Sequence, residues 1–104
     1  MIKSKETIDV SKNLKTIEWL KAELVEAVGV LFRALLNPAK GACSEALGAI
    51  IMISYLLGRR IGIDFLTIDN QIKEKINTNI NNAHEIEQWY GDLSELKEYF
   101  HKKR

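Results

Sequence analysis

The chain has 104 residues, 46% of them hydrophobic and 28% charged, with a formal net charge of +1. That length fits one domain, and the near-neutral balance excludes both the basic field of a nucleic-acid binder and an acidic tail for a basic partner. The single cysteine, Cys43, cannot close an internal disulfide, which fits a reducing compartment, and with no histidine nearby in sequence it is read as a small packed or capping neighbour.

The first residues, Met1-Ile2-Lys3-Ser4-Lys5-Glu6, are charged and lack an apolar core region, so no signal peptide is expected, and residues 1–9 are expected to be a flexible N-terminus. From about Ser11 to Leu36, apolar residues fall at Leu14, Ile17, Leu20, Leu24, Val28, Leu31 and Leu35, in steps of three and four. This spacing predicts one long helix with a packed stripe close to a heptad seam, capped by Asp9 or Ser11. Asn37-Pro38-Ala39-Lys40-Gly41 ends it and turns the chain back.

A second helix is predicted from about Ser44 to Arg60, with Gly62 as a left-handed stop. Ala46, Leu47, Ala49, Ile50, Ile51, Met52, Ile53, Tyr55, Leu56 and Leu57 cover nearly its whole circumference, so it must be buried on every side. So short a chain cannot surround it, and a partner subunit is expected to cover one face. The uncharged run from Ala46 to Gly58 is shorter than the roughly 20 residues a bilayer requires, so no membrane span is expected.

Asp64 is placed to cap a third helix with the inner edge Phe65, Ile68, Ile72, Ile76 and Ile80, and a flank of Asp69, Lys73, Lys75 and Asn79. An irregular polar segment from Asn81 to Tyr90 follows. Asp92-Leu93-Ser94-Glu95 reads as a capping box for a last helix with Leu96, Tyr99 and Phe100 facing in. The expected fold is all-α: an antiparallel bundle of about four helices in a single domain, 1–104, completed by homo-oligomerisation as a dimer or tetramer.

The chemistry-bearing residues are carboxylates. Glu23 and Glu26 sit one turn apart on one helix face, roughly 5–6 Å between Cβ atoms, and Glu45 opens the neighbouring antiparallel helix. Together they would make a hard, oxygen-rich site of the kind Mg²⁺ prefers. The plain alternative for Glu23 and Glu26 is a solvated face, since they lie roughly 100–170° from the centre of the core stripe. Against it, Trp19 and Val30 share their face. Glu45 has its own plain explanation, a carboxylate complementing the dipole in a first turn, as Arg59 and Arg60 complement the far end. Lys21, at the stripe's edge, packs its stem and carries its ammonium outward. Trp89 and Tyr90 beside His84 read as a packing anchor for the last helix, with base stacking as the alternative. No nucleophilic triad, glycine-rich phosphate loop or histidine metal pattern is present.

Taken together these segments resemble the MazG-like family within the all-α nucleotide pyrophosphohydrolases. That superfamily carries E-E-x-x-E on a first helix, E-x-x-D opening a second, and a later K-x-x-x-N. Here the first motif reads Ala22-Glu23-Leu24-Val25-Glu26, the second Glu45-Ala46-Leu47-Gly48, and the third, Lys75-Ile76-Asn77-Thr78-Asn79, is intact. Glu18–Leu24, Ser54–Arg60 and His84–Ser94 extend the likeness over about residues 10–100. The lone cysteine and the expected lack of a signal peptide and membrane span predict a cytoplasmic protein, and the resemblance implies an Mg²⁺-dependent enzyme (Mn²⁺ serving as well) that cleaves a nucleoside triphosphate to monophosphate and pyrophosphate. It implies Glu23, Glu26 and Glu45 as metal ligands or the water-orienting base, and Lys75, Asn79 and Lys21 as the substrate-binding set. Ala22 and Gly48 stand where the family has acids, so a second ion would be held poorly. A non-catalytic nucleotide binder and a helical oligomerisation or protein-interaction module are the alternatives.

Overall fold

The computed structural model describes residues 2–37, 40–82 and 84–103, with side-chain surroundings from residue 9 to residue 102 of these. Among them are five helices and no strand: α1 (Ile2–Leu36), α2 (Lys40–Arg60), α3 (Phe65–Asn81), α4 (Glu85–Tyr90) and α5 (Asp92–Lys103). The fold is all-α, as the periodicity predicts. The chain divides into two compact units, Met1–Phe65 and Leu66–Arg104.

The first unit is an antiparallel pair, α1 against α2. Its core is Leu20 (2% exposed), Ala27 and Ile53, with Leu24, Ala49, Ile50 and Leu57 packed around them. The stripe continues only in part: Leu14 and Leu35, expected inside, are more than half exposed. Ala27 rather than Val28 is the buried position, because a methyl group lets the two helices approach where a branched side chain would hold them apart. α1 also starts earlier than predicted. No glycine or proline separates Ile2 from Asp9, so nothing stops the helix there, and Asp9 and Ser11 lie inside it at exposed positions instead of capping it. Of the predicted turn, Pro38 and Ala39 lie outside the described residues, and Lys40 and Gly41 already belong to α2.

The far end of α2 is fastened in three ways. Gly62, at φ 91°, closes the helix as expected: the Ile63 N–H donates to the Gly58 carbonyl at 2.9 Å and the Gly62 N–H to the Arg59 carbonyl at 3.2 Å. Asn13 of α1 donates to the Arg60 carbonyl at 2.9 Å and accepts from the Arg60 guanidinium at 3.3 Å. Phe65 packs edge-on to Tyr55, with the Arg59 guanidinium 4.2 Å above its ring. α2 is not covered on every side within the chain. Ile53, Ala46 and Gly58 are buried, whereas Leu47, Ile51 and Met52 are about half exposed. The helix that carries the uncharged run is 21 residues long and so, by length and composition alone, is long and apolar enough to cross a membrane.

In the second unit, α3 begins directly after Asp64 and buries Ile76 on the predicted edge, with Ile68, Ile72 and Ile80 half-buried. Asp69, assigned to the polar flank, is instead buried (6% exposed). The segment predicted as irregular contains α4. Its start is capped by His84, whose Nδ1 accepts from the Ile86 N–H at 3.1 Å, and its end by Gly91 at φ 70°. The start of α5 is served from outside the predicted capping box. Asp92 and Glu95 lie in its first turn, and the Glu87 carboxylate of α4 accepts from the Ser94 N–H at 3.0 Å and from the Ser94 hydroxyl. The hydroxyl bond above all, helped by the Ser94 and Leu93 N–H groups and opposed by desolvation, holds the Glu87 carboxyl below its ordinary value.

Candidate functional site

Glu23, Glu26 and Glu45 line one cavity of about 310 Å³ on a flank of the α1–α2 pair. Its walls include Ala27, Ala46, Ala49 and Ile53, with Val30 beside them. The hollow follows from composition: alanine on both helices lets the backbones meet at the seam yet leaves the space beside it unfilled. Because the seam runs through Leu20, Leu24 and Ala27, Glu23 and Glu26 border it instead of facing away. Glu23 is half-buried, and Glu26 and Glu45 stand exposed.

The early start of α2 removes the plain explanation for Glu45. Five residues precede it in the helix, and no acidic residue occupies the first turn, where the dipole acts. Among the described residues, none of the three carboxylates has a hydrogen bond or an ion pair with the protein. Three carboxylates thus share one hollow with alanine and isoleucine walls, and no described cation forms an ion pair with them.

These are hard oxygen donors, the type that binds Mg²⁺. No group of three or more His, Cys, Asp or Glu among the described residues is drawn together tightly enough to hold an ion by itself. Glu23, Glu26 and Glu45 are therefore not drawn into a ready-made ion site, although Mg²⁺ in general needs only one or two protein carboxylates, with waters and phosphate oxygens completing its shell. Ala22 and Gly48, both exposed, add no donor.

Lys21 lies away from this cavity, its ammonium 2.8 Å from Glu18 in an exposed i,i+3 pair that also occupies Glu18. Lys75 and Asn79 line a separate polar hollow of about 300 Å³ in the second unit, with Gln71, Glu74 and Thr78. Trp89 and Tyr90 are about two-thirds exposed and meet edge to face at 6.3 Å, so they do not anchor α5. His84 is occupied as the α4 cap. The residue that sequence reasoning missed is Asp69, and nothing in its spacing separates it from the polar flank. Cys43 is a half-buried free thiol.

No curated protein and no solved structure matches the chain. A family model does: it covers residues 10–93, from the third turn of α1 to the start of α5, and by it this chain belongs to the MazG-like family.

Proposed function

We propose that the protein is a MazG-like nucleotide pyrophosphohydrolase that cleaves a nucleoside triphosphate to the monophosphate and pyrophosphate in the cavity of Glu23, Glu26 and Glu45. The family brings the fold type of such enzymes. The observation that carries the reading further is the gathering of three carboxylates without protein partners, from two helices, around one hollow. When bound there, Mg²⁺ (or Mn²⁺) supplies neutralisation of phosphate charge and acidification of a water. One glutamate accepts the proton of that water as its oxygen bonds to the α-phosphorus, and the α–β bridging bond breaks with its electron pair leaving on pyrophosphate. The remaining carboxylates would hold the ion. On α3, Lys75 offers a point charge and Asn79 paired donor and acceptor groups, which makes its hollow a phosphate-binding candidate in its own right. Lys21, tied to Glu18, is the weakest member of the substrate set.

A second reading, nucleotide binding without hydrolysis, is favoured by Ala22 and Gly48, which leave no donors for a second ion. We also propose a cytoplasmic homo-oligomer, in which a second copy covers Leu47, Ile51 and Met52 of α2. If that patch alone served function, the protein would be the helical interaction module instead.

A panel of nucleoside triphosphates with Mg²⁺ and Mn²⁺, scored for pyrophosphate release and for melting temperature, separates these readings. Saturating ligand at a hundredfold excess over Kd raises stability by about 2.7 kcal/mol. The rise should vanish in Glu23→Gln with Glu26→Gln, which keeps shape and removes charge. Pyrophosphate release identifies the enzyme, and a melting shift without turnover identifies the binder. No shift with any nucleotide, together with a double variant more stable than the parent, leaves the interaction module.

A further inference from the structure

The flank that carries the acidic cavity continues along the pair toward the far end of α2. On α1, Thr16, Trp19, Glu23, Glu26 and Val30 recur in steps of three and four, and so form one row. On α2, Ala42, Glu45 and Ala49 are followed in the same register by Leu56 and Arg59. The lower members of these rows line a second hollow of about 370 Å³, whose walls include Thr16, Trp19, Leu56, Arg59 and Phe65, with Leu20 and Arg60 beside them. Three of its large apolar side chains are held at an open surface: Trp19 is 60% exposed, and Leu56 and Phe65 are each 40% exposed. Arg59 is stacked 4.2 Å above the Phe65 ring, which fixes its plane and leaves its N–H edges to donate.

We propose that this hollow seats a planar aromatic group bearing hydrogen-bond acceptors, namely the nucleobase of a nucleotide whose phosphates lie at the glutamate cavity. The proposal rests on the function proposed above and adds to it the polarity of the ligand along the hairpin. Trp19 supplies a face for stacking, Leu56 and Phe65 exclude water from the base, and Arg59 donates to its carbonyl or ring-nitrogen acceptors. The spacing fits one nucleotide: Trp19 and Glu23 are one turn apart, about 6 Å along the axis. A sugar bridges that interval. Arg60 does not take the phosphates in this arrangement, because Asn13 occupies it, and Arg59 lies at the base end, in the second hollow.

The test uses the full chain carrying Trp89→Phe, so that Trp19 is the only one of the 2 tryptophans left. The ligands are nucleoside triphosphates and inorganic tripolyphosphate, each with Mg²⁺. Nucleotides should quench Trp19 fluorescence over the concentrations that raise the melting temperature, whereas tripolyphosphate should raise melting without quenching. In a chain that keeps Trp89, Trp19→Leu should weaken nucleotide binding roughly tenfold or more and leave tripolyphosphate unchanged. Phe65→Leu should repeat that selective loss. Nucleotide binding without quenching, or an equal loss for both ligands in Trp19→Leu, overturns the base seat while the glutamate site stands. Tripolyphosphate binding lost in Arg59→Gln but kept in Glu23→Gln with Glu26→Gln overturns the polarity. If neither ligand binds, the proposed function fails and the base seat with it.

Discussion

The two ends of the α1–α2 pair use the same helices differently. Where α2 finishes, Asn13 holds Arg60, Arg59 covers Phe65, and Gly62 closes the last turn. Toward its start the facing positions are Ala27, Ala42, Ala46 and Ala49, and the polar side chains beside them, Glu23, Glu26 and Glu45, have no protein partners among the described residues. One end satisfies its polar groups internally. The other leaves a hollow bordered by three carboxylates that have no partner among the described residues.

The largest expected effect breaks both ends together. Ile53 is 6% exposed against Leu20 and Ala27, so Ile53→Lys places an unpaired ammonium in the seam at a cost of several kcal/mol and should unfold the protein by circular dichroism. Ile51, two residues earlier, is 58% exposed. Ile51→Lys should therefore keep the helical signal and melting cooperativity but reduce the sedimenting species to 11.9 kDa. A parent chain that is already a monomer at micromolar concentration would remove the proposed oligomer. Association with lipid vesicles instead of self-association would point to the membrane-length apolar helix as the relevant feature.

That contrast between Ile51 and Ile53 shows what the sequence could convey. Helical period, the α2 stop at Gly62 and the three glutamates were all legible, because each depends on local geometry or on residue type. The choice of seam was not. α2 is apolar all round, so its pattern does not distinguish the face that meets α1 from the face left open, and on α1 a small residue, Ala27, won the contact over the larger Val28. Helix starts were misplaced for a related reason: a capping residue marks a start only where the chain before it cannot remain helical. The six residues of α4 are too few to display a period, although its stop, Gly91, stands in the sequence.

A smaller effect sharpens the fastened end. Asn13→Ala removes two exposed hydrogen bonds to Arg60, a loss of about 1 kcal/mol, and should lower the melting temperature by roughly 4–8 °C. Nucleotide-induced stabilisation should change little, since Asn13 lines neither hollow itself and reaches the proposed base seat only through Arg60 at its edge. An equal fall in the ligand effect would mean that the two ends are not separable.

The open end can be tested by adding a donor. A Cβ at Gly48 would meet nothing within 4 Å, so Gly48→Asp introduces a carboxylate three residues after Glu45 from a position with open space at its root. Replacing a mid-helix glycine should gain up to about 0.5 kcal/mol, partly offset by repulsion from Glu45 when no cation is present. The Mg²⁺ concentration needed for half of the nucleotide-induced melting shift should fall. An unchanged requirement would argue that position 48 lies outside the reach of the ion.

The smallest effect comes from a carboxylate that, unlike the three glutamates, is fully answered by the protein. Glu87 accepts from the Ser94 hydroxyl and N–H, and these bonds lower its pKa from an ordinary 4.5. A carboxyl with a depressed folded pKa contributes stability that is fully present above the unfolded value. It is lost as pH falls through the folded value, because the unfolded chain takes up the proton first. The α4–α5 corner should therefore weaken below about pH 4.5. Ser94→Ala, which removes the largest cause of the shift, should flatten that acid limb, and Glu87→Gln should abolish its share while leaving the corner weaker at neutral pH. Amide exchange at Leu93 and Ser94, followed from pH 6 to pH 3 against a peptide reference, isolates the corner from the rest of the chain. Equal pH dependence in parent and Glu87→Gln would show that the bond to Ser94 carries no linkage. The same titration in Glu23→Gln with Glu26→Gln should not move these amides, since the causes of the Glu87 shift lie in its own bonds to Ser94 and Leu93.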